Sequence, residues 1–328
     1  MKIYQWGILG TANISRKAMI PALKASIKAN VAAVASRDAE KAGQFASKLS
    51  IPNAYGNYKS LLEDPAIDII YNPLPNHLHK TLTIMAAEAG KHILCEKPLA
   101  LNVADCREMI AAAAANGVQL MESFMYRHHP RIQTALDMIQ KGAIGEVKTI
   151  LSAFTFYLNR EWDIRLQPEM GGGAVMDVGC YCINLSRLIA GREPEDVQAR
   201  SVMGKSGVEI QAAAILNFGD GLLAHFDCGF NQSRRHRCTI SGTEGLIELQ
   251  NVFVPGLTET ALQYVTGDQT HTKHFPAVDQ YRLIAEHFMS VIEGNPRLYP
   301  LEDATANMRV IEALLKSAKN SGKPEKIR

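Results

Sequence analysis

Within its first fifteen residues the chain passes from a strand to a helix across one glycine turn, and that junction constrains the fold more than any other feature. Ile3–Leu9 is a short apolar run, Gly10 breaks it, and from Ser15 the apolar spacing becomes helical. The same alternation then repeats. Strands are expected at Val31–Ser36, Ile67–Tyr71, His92–Cys95 and Gln119–Glu122. Helices are expected at about Ser15–Ala29, Ala39–Leu49, Tyr58–Leu62 and His77–Ala89, and from Asn102 to Asn116-Gly117. Strands separated by helices in this way build βαβ units, so residues 1–123 read as an α/β domain with a doubly wound parallel sheet.

After Phe124 the pattern changes. A helix at Pro130–Lys141 leads into a long strand, Val147–Tyr157, and a helix at Ala174–Ala190. Strand-like runs come next at hairpin spacing: Val197–Val202, Ile210–Phe218, Leu222–Phe230, Arg237–Ser241 and Leu246–Leu249. Two helices, Asp279–Glu293 and Glu302–Ser321, close the chain. Residues 124–328 are therefore expected to form a second, α+β domain with a mostly antiparallel sheet. The 328 residues are long enough for two such domains.

With 47% apolar and 21% charged residues and a net charge of +2, the chain reads as globular. No basic run points to nucleic acid, and no apolar stretch reaches the ~20 residues that span a bilayer. The N-terminal apolar run is too short for a signal peptide and leads into a glycine turn. The six cysteines are scattered in apolar surroundings without a CxxC pair, so reduced, buried thiols and a cytoplasmic setting are expected.

The turn Gly7–Ser15 lies where a parallel strand hands over to a helix, and a helix N-terminus offers unpaired N–H groups and a positive dipole end to a pyrophosphate. Of the G-x-G-x-x-G pattern of a dinucleotide-binding Rossmann unit only Gly10 survives; Ala12 and Ser15 stand in for the other two glycines. Gly10, Thr11, Ala12, Asn13 and Ile14 are the candidate pyrophosphate cradle. At the end of the second strand an NAD site carries an acid for the ribose 2′-hydroxyl. This chain has Ser36-Arg37, with Lys41 a turn further on. A hydroxyl and a guanidinium suit a 2′-phosphate, so NADP is the expected cofactor and NAD the alternative.

Glu96-Lys97-Pro98 ends another strand of the parallel sheet, where open α/β sheets bind ligands. Beside a cationic nicotinamide, like charge and partial burial would make Lys97 a usable acid–base or polarising group. Leu74-Pro75-Asn76-His77 lies just beyond the neighbouring strand; Asn76 or His77 reaches the nicotinamide ribose or caps the next helix. His77 and His79, two apart with no obvious third ligand, do not read as a metal site. Further on, Gly171-Gly172-Gly173 lets the chain enter a helix close to another surface. In that helix Asp177, Tyr181 and Asn184 fall at i, i+4 and i+7, three polar groups on one face. Such a stripe suits a sugar-like substrate, or else it caps and edges a core. Arg127, Tyr157, Trp162 and Arg165, on loops or strand ends, are further substrate-pocket candidates.

Taken together, the Gly7–Ser15 turn, Leu74-Pro75-Asn76-His77-Leu78-His79, Glu96-Lys97-Pro98, and the stretch from Arg165-Leu166 through the three glycines to Asp177 and Tyr181 resemble the glucose–fructose oxidoreductase/inositol dehydrogenase/rhizopine-catabolism (Gfo/Idh/MocA) oxidoreductases over nearly the whole length. The inositol-dehydrogenase-like branch has His four residues after the Asp. Tyr181, with Phe124-Met125-Tyr126-Arg127-His128-His129-Pro130, resembles instead the branch of glucose–fructose oxidoreductase, NADP-dependent D-xylose dehydrogenase and dihydrodiol dehydrogenase. The resemblance implies a Rossmann domain with an open, mostly antiparallel second sheet and homo-oligomers through that sheet's exposed face. It implies hydride transfer between nicotinamide and an aldose, polyol or related compound. In that reaction Tyr181 is the expected acid–base group, Lys97 lowers its pKa and orients the substrate, and Asp177 fixes substrate hydroxyls or Lys97. Glu96 joins Lys97 among the cofactor contacts. A non-catalytic NADP-sensing protein and a dihydrodiol or dicarbonyl oxidoreductase are the alternatives.

Overall fold

Tyr4–Leu9 forms the first strand, β1, and all but one of its residues are buried, as a strand covered on both faces requires. The computed structural model describes residues 1–160 and 162–327. Alongside β1 stand β2 (Ala29–Ala35), β3 (Asn53–Tyr55), β4 (Ile69–Asn72), β5 (His92–Cys95) and β6 (Leu120–Glu122), in the order β3-β2-β1-β4-β5-β6. All neighbouring pairs are parallel. The order reverses between β1 and β4, which is where a doubly wound sheet opens a crevice at its strand C-termini.

The helix after β1 ends at Lys24, short of the expected Ala29, and it opens with a π turn, Ser15–Met19. Pro21 explains the irregularity: it has no N–H for the carbonyl one α-turn back and its ring crowds that carbonyl. The wider turn, closed by Ile20 N on Ser15 O, absorbs the misfit.

The chain divides into two compact units, and the first is discontinuous: Met1–Met125 together with Asp279–Thr305. The sequence pattern assigns 279–305 to the second domain instead. The reason for the difference is Trp6, fully buried on β1, which meets the edge of Phe288 from the helix Gln280–Ile292 at 6.3 Å. That helix packs on β5 and on the first helix, and Lys28 pairs with Glu293 at 2.9 Å.

In the second unit, β7 (Val147–Tyr157), β8 (Asp196–Met203), β9 (Glu209–Asn217), β10 (Leu223–Gly229), β11 (Asn231–Gly242), β12 (Gly245–Gln250), β13 (Thr260–Thr266), β14 (Gln269–Phe275) and β15 (Glu325–Lys326) form a nine-stranded sheet. Its order is β14-β13-β12-β11-β7-β10-β9-β8-β15, antiparallel except for β7 beside β10. One face is covered by the helix Cys180–Ala190 and the π turn, Val175–Gly179, that precedes it. The opposite face is exposed and partly apolar, with Val202, Ile215 and Leu223 each about half exposed.

Strands β3, β13, β14 and β15 go beyond the sequence expectation. β14, Gln-Thr-His-Thr-Lys-His-Phe, is exposed along nearly all its length and so carries no apolar alternation. The two-residue turn Gly267-Asp268, between paired Thr266 and Gln269, is its one legible signal.

Candidate functional site

In the first unit the expected cofactor residues gather at the C-terminal ends of β1, β2, β4 and β5. Gly10 adopts φ +76°, and a Cβ there would lie 2.8 Å from Leu74 Cδ2. The conformation requires glycine. Leu74, itself an expected cofactor contact, thus packs directly over the turn. Ala12 O accepts the Arg16 N–H at 3.2 Å, so the preceding amides lie in a first helical turn that gives them no intrahelical acceptor. Ser15, in the third glycine position, is fully buried.

At the end of β2, the Ser36 hydroxyl accepts the Asp38 N–H at 3.3 Å. Arg37 is exposed and lies within hydrogen-bonding reach of the Tyr58 hydroxyl. Tyr58 is not foreseen from the sequence; its hydroxyl lies 4.0 Å from the place a Cβ on Gly10 would take, so it stands beside both the turn and Arg37. Burial raises its pKa, and Arg37 opposes that shift. Lys41 is exposed and pairs locally. Its ammonium sits 3.4 Å from Asp38, whose carboxylate also caps the helix Ala39–Lys48 at Lys41 N, 3.0 Å.

The loop after β5 is held on both sides of Lys97. Tyr71 donates to Glu96 Oε1 at 2.7 Å, and Leu99 N donates to Glu122 Oε1 at 2.7 Å. Burial pushes the Glu96 carboxyl pKa up, against the pull of Lys97 and the Tyr71 hydrogen bond. The Lys97–Pro98 peptide is cis. Asn76 and His77 open a 3₁₀ turn, Asn76–Leu78, ahead of the helix His79–Glu88.

In the second unit Gly171 is set by its φ of +75°, and Gly172 and Gly173 by what lies against them. A Cβ on Gly172 would fall 2.5 Å from Arg165 O, and one on Gly173, at φ +119°, 2.3 Å from Glu209 Oε1. Glu209, buried at the start of β9, accepts the Val175 N–H at 3.0 Å and so anchors the helix start. Burial raises its pKa. Sequence reasoning misses Glu209, because nothing local marks a partner 34 residues away.

Asp177, expected on one helix face with Tyr181 and Asn184, lies in the π turn Val175–Gly179, and the three side chains are held in different ways. Asp177 pairs with Arg165 Nε at 2.7 Å, and Arg165 also reaches Asp163 at 3.1 Å. Asp177 first, then Asp163, raises the Arg165 pKa further, so the guanidinium is permanently charged. Arg165 also lies over the Phe156 ring, 5.9 Å from its centroid. Asn184, expected to touch substrate, is 0% exposed. Its Oδ1 accepts from the Tyr126 hydroxyl at 2.6 Å and Arg127 Nε at 2.7 Å, so it fixes the turn Met125–His128 from behind.

Tyr181 sits in an aromatic nest, its ring centroid 5.3 Å from Phe154 and from Phe253 and 5.9 Å from Tyr126. The sequence singles out none of these three, though Tyr126 lies in the Phe124–Pro130 motif. His236 stacks obliquely on Phe154 at 5.6 Å, and burial brings its pKa down to about 4, leaving it neutral at pH 7. Tyr157 and Trp162 stand apart from this packing, 70% and 64% exposed. No described helix is long and apolar enough to cross a membrane.

Residues 4–124 match the model of an oxidoreductase family with an NAD-binding Rossmann fold, and residues 132–248 match the GFO/IDH/MocA C-terminal domain. The chain is 36% identical over 324 residues to D-xylose 1-dehydrogenase (NADP(+)) 2 of Haloferax volcanii, covering 98% of this chain and 99% of that one. It is 36% identical over 250 residues to trans-1,2-dihydrobenzene-1,2-diol dehydrogenase of Xenopus laevis, covering 75% and 74%. Among solved structures, a 3-ketoreductase from Actinomadura kijaniata in complex with NADP and TDP-benzene aligns with a TM-score of 0.91. It is 30% identical over 96% of this chain and 98% of that one.

Proposed function

The chain belongs to the Gfo/Idh/MocA oxidoreductases, and from that premise we propose that it is an NADP-dependent dehydrogenase or reductase. Its substrate is an aldose, a polyol or a related hydroxy or carbonyl compound. The observation that carries the reading is the seating of Tyr181: an acid–base side chain wedged in an aromatic nest, on a helix whose start is pinned by Glu209.

NADP fits the residues present. The turn at Gly10 leads into a helix N-terminus, which suits a pyrophosphate, and the strand end at Ser36 carries a hydroxyl and the Arg37 guanidinium in place of an acid. Gly10–Ile14 would hold the pyrophosphate, Ser36, Arg37 and Tyr58 the 2′-phosphate, and Leu74-Pro75-Asn76-His77 with Glu96 the nicotinamide half. Bound NADP supplies the hydride acceptor or donor. Tyr181 gives or takes the proton at the reacting oxygen. Lys97 supplies an ammonium that orients and polarises that oxygen, and its loop, tethered at Glu96 and Leu99, holds it in place. Asp177, already aligned by Arg165, accepts from substrate hydroxyls. Arg127 and the exposed aromatics Tyr157 and Trp162 offer stacking and hydrogen bonds to a sugar or a dihydrodiol ring.

Six free, buried cysteines suit a reducing compartment, and we place the protein in the cytoplasm. The exposed apolar face of the nine-stranded sheet supports a homo-oligomer through that face.

The test is to titrate NADP+ and NAD+ against the protein, then follow reduced-nicotinamide absorbance over aldoses, polyols and dihydrodiols. Turnover of one class names the substrate; tight NADP+ binding with no turnover on any overturns the reading in favour of a sensor. Tyr181→Phe should lower kcat by about 10²–10⁴ with cofactor affinity unchanged.

A further inference from the structure

We infer that His79 is a positioning residue: its imidazole bridges the backbones of the two loops that carry Leu74-Pro75 and Lys97-Pro98, and sets where Lys97 stands. The inference rests on the oxidoreductase reading only for what Lys97 does.

His79 is 0% exposed. Its Nε2 lies 2.7 Å from Leu74 O and its Nδ1 3.0 Å from Pro98 O. These carbonyls belong to the loops after β4 and β5, adjacent strands of the parallel sheet. The histidine itself is held from below, since Asn72 Nδ2 donates to His79 O at 3.4 Å. Asn72 Oδ1 in turn accepts the Leu74 N–H at 3.3 Å. On the far side of Pro98, Glu122 accepts the Leu99 N–H. The backbone around Lys97 is thus held at Glu96 through Tyr71 and at Leu99 through Glu122, while Pro98 O shares the His79 ring with Leu74 O.

This geometry accounts for the choice of histidine. A side chain at the first turn of the helix His79–Glu88 must place one polar atom near the ring's Cγ and a second further out. Only an imidazole offers two nitrogens at those two reaches with the rigidity to hold them. Burial, reinforced by the nearby Lys97 ammonium, brings its pKa down to about 4. Near neutral pH the ring therefore has one N–H, which satisfies one carbonyl at a time.

The two tethers are separable, because an asparagine amide mimics Nδ1 and a glutamine amide mimics Nε2. H79N keeps a donor for Pro98, and H79Q keeps one for Leu74. The experiment measures three things on wild type, H79N, H79Q and H79L: deuterium exchange of the peptides covering 74–78 and 96–101, the NADP+ dissociation constant, and steady-state kinetics. In H79Q the expected result is faster exchange confined to 96–101, unaltered NADP+ affinity and a kcat lower by about 10²-fold, the scale of a 1 Å misplacement. H79N should show the reverse pattern of exchange and a much smaller loss of kcat, and H79L should lose both loops. Equal effects of H79N and H79Q on both peptides, or unchanged kcat in H79Q, would overturn the inference. The exchange data read the clamp without turnover, so an inactive wild type would count against the enzyme reading and leave the tethers testable.

Discussion

Arg37 is one exposed guanidinium beside the Tyr58 hydroxyl, and in the proposed NADP site cofactor choice turns on it. A charge-assisted hydrogen bond to a phosphate is worth about 1.5–3 kcal/mol, so Arg37→Ala should weaken NADP+ by about 10–100-fold and leave NAD+ nearly unchanged. Titration by nucleotide fluorescence decides it; equal losses for both nucleotides would mean that Arg37 only supports the fold. Glu209 makes a different kind of prediction. Its folded pKa is raised by burial, so the folded state holds the proton where the unfolded chain has already released it. Stability therefore falls as pH rises from the ordinary glutamate range through the raised value, and stays lower above it. Glu209→Gln keeps an acceptor for Val175 N and removes the charge. Its urea midpoint should gain on wild type as pH rises through that window, and parallel curves would refute this. Glycines 171–173, Lys97 and Tyr181 are legible in the sequence because residue type alone narrows their use. Glu209, Tyr58 and the partners of Asn184 are not, since each is defined by a contact between distant segments.

Regular elements are legible wherever burial imposes a period. The inner parallel strands show as apolar runs because both faces are covered, while the edge strand β3 and the solvated, polar β14 do not. The two π turns escape notice for another reason. Pro21 is visible, but an extra residue in a turn leaves the apolar spacing nearly intact while rotating the residues beyond it. The second holds Asp177, four residues ahead of Tyr181. One helix start bears on the proposed cofactor site. Asp38 both caps Ala39–Lys48 and pairs with Lys41, two jobs that substitution can pull apart. Asp38→Asn retains the cap and should tighten NADP+ binding by freeing Lys41; Asp38→Ala should tighten it too but melt at a lower temperature. Thermal unfolding beside nucleotide titration distinguishes the two, and weaker NADP+ binding by Asp38→Asn would contradict the assignment.

At the scale of the whole molecule, the exposed sheet face is the feature with the most to say about assembly. Ile215 and Leu223, on neighbouring strands β9 and β10, are the natural targets. Ile215→Lys with Leu223→Lys should lower the sedimenting mass of an oligomer while leaving NADP+ affinity intact; an unchanged mass would move the interface elsewhere. The two-domain plan is readable from the switch between periodic patterns near residue 124. The return of Asp279–Thr305 to the first unit is not, because nothing in a helical pattern says which sheet it will cover.

That return has a consequence for how the protein is made. Trp6 leaves the ribosome long before Phe288, against which it packs. Translation runs at about 5–20 residues per second, so the parallel sheet waits on the order of ten to thirty seconds between the emergence of Met125 and that of its covering helix. During that interval a nucleotide-binding sheet exists with an apolar flank open to water and to other nascent chains. Chains truncated before Asp279 should therefore accumulate as insoluble product, and holding chaperones should be needed in cells less for the second unit than for the first.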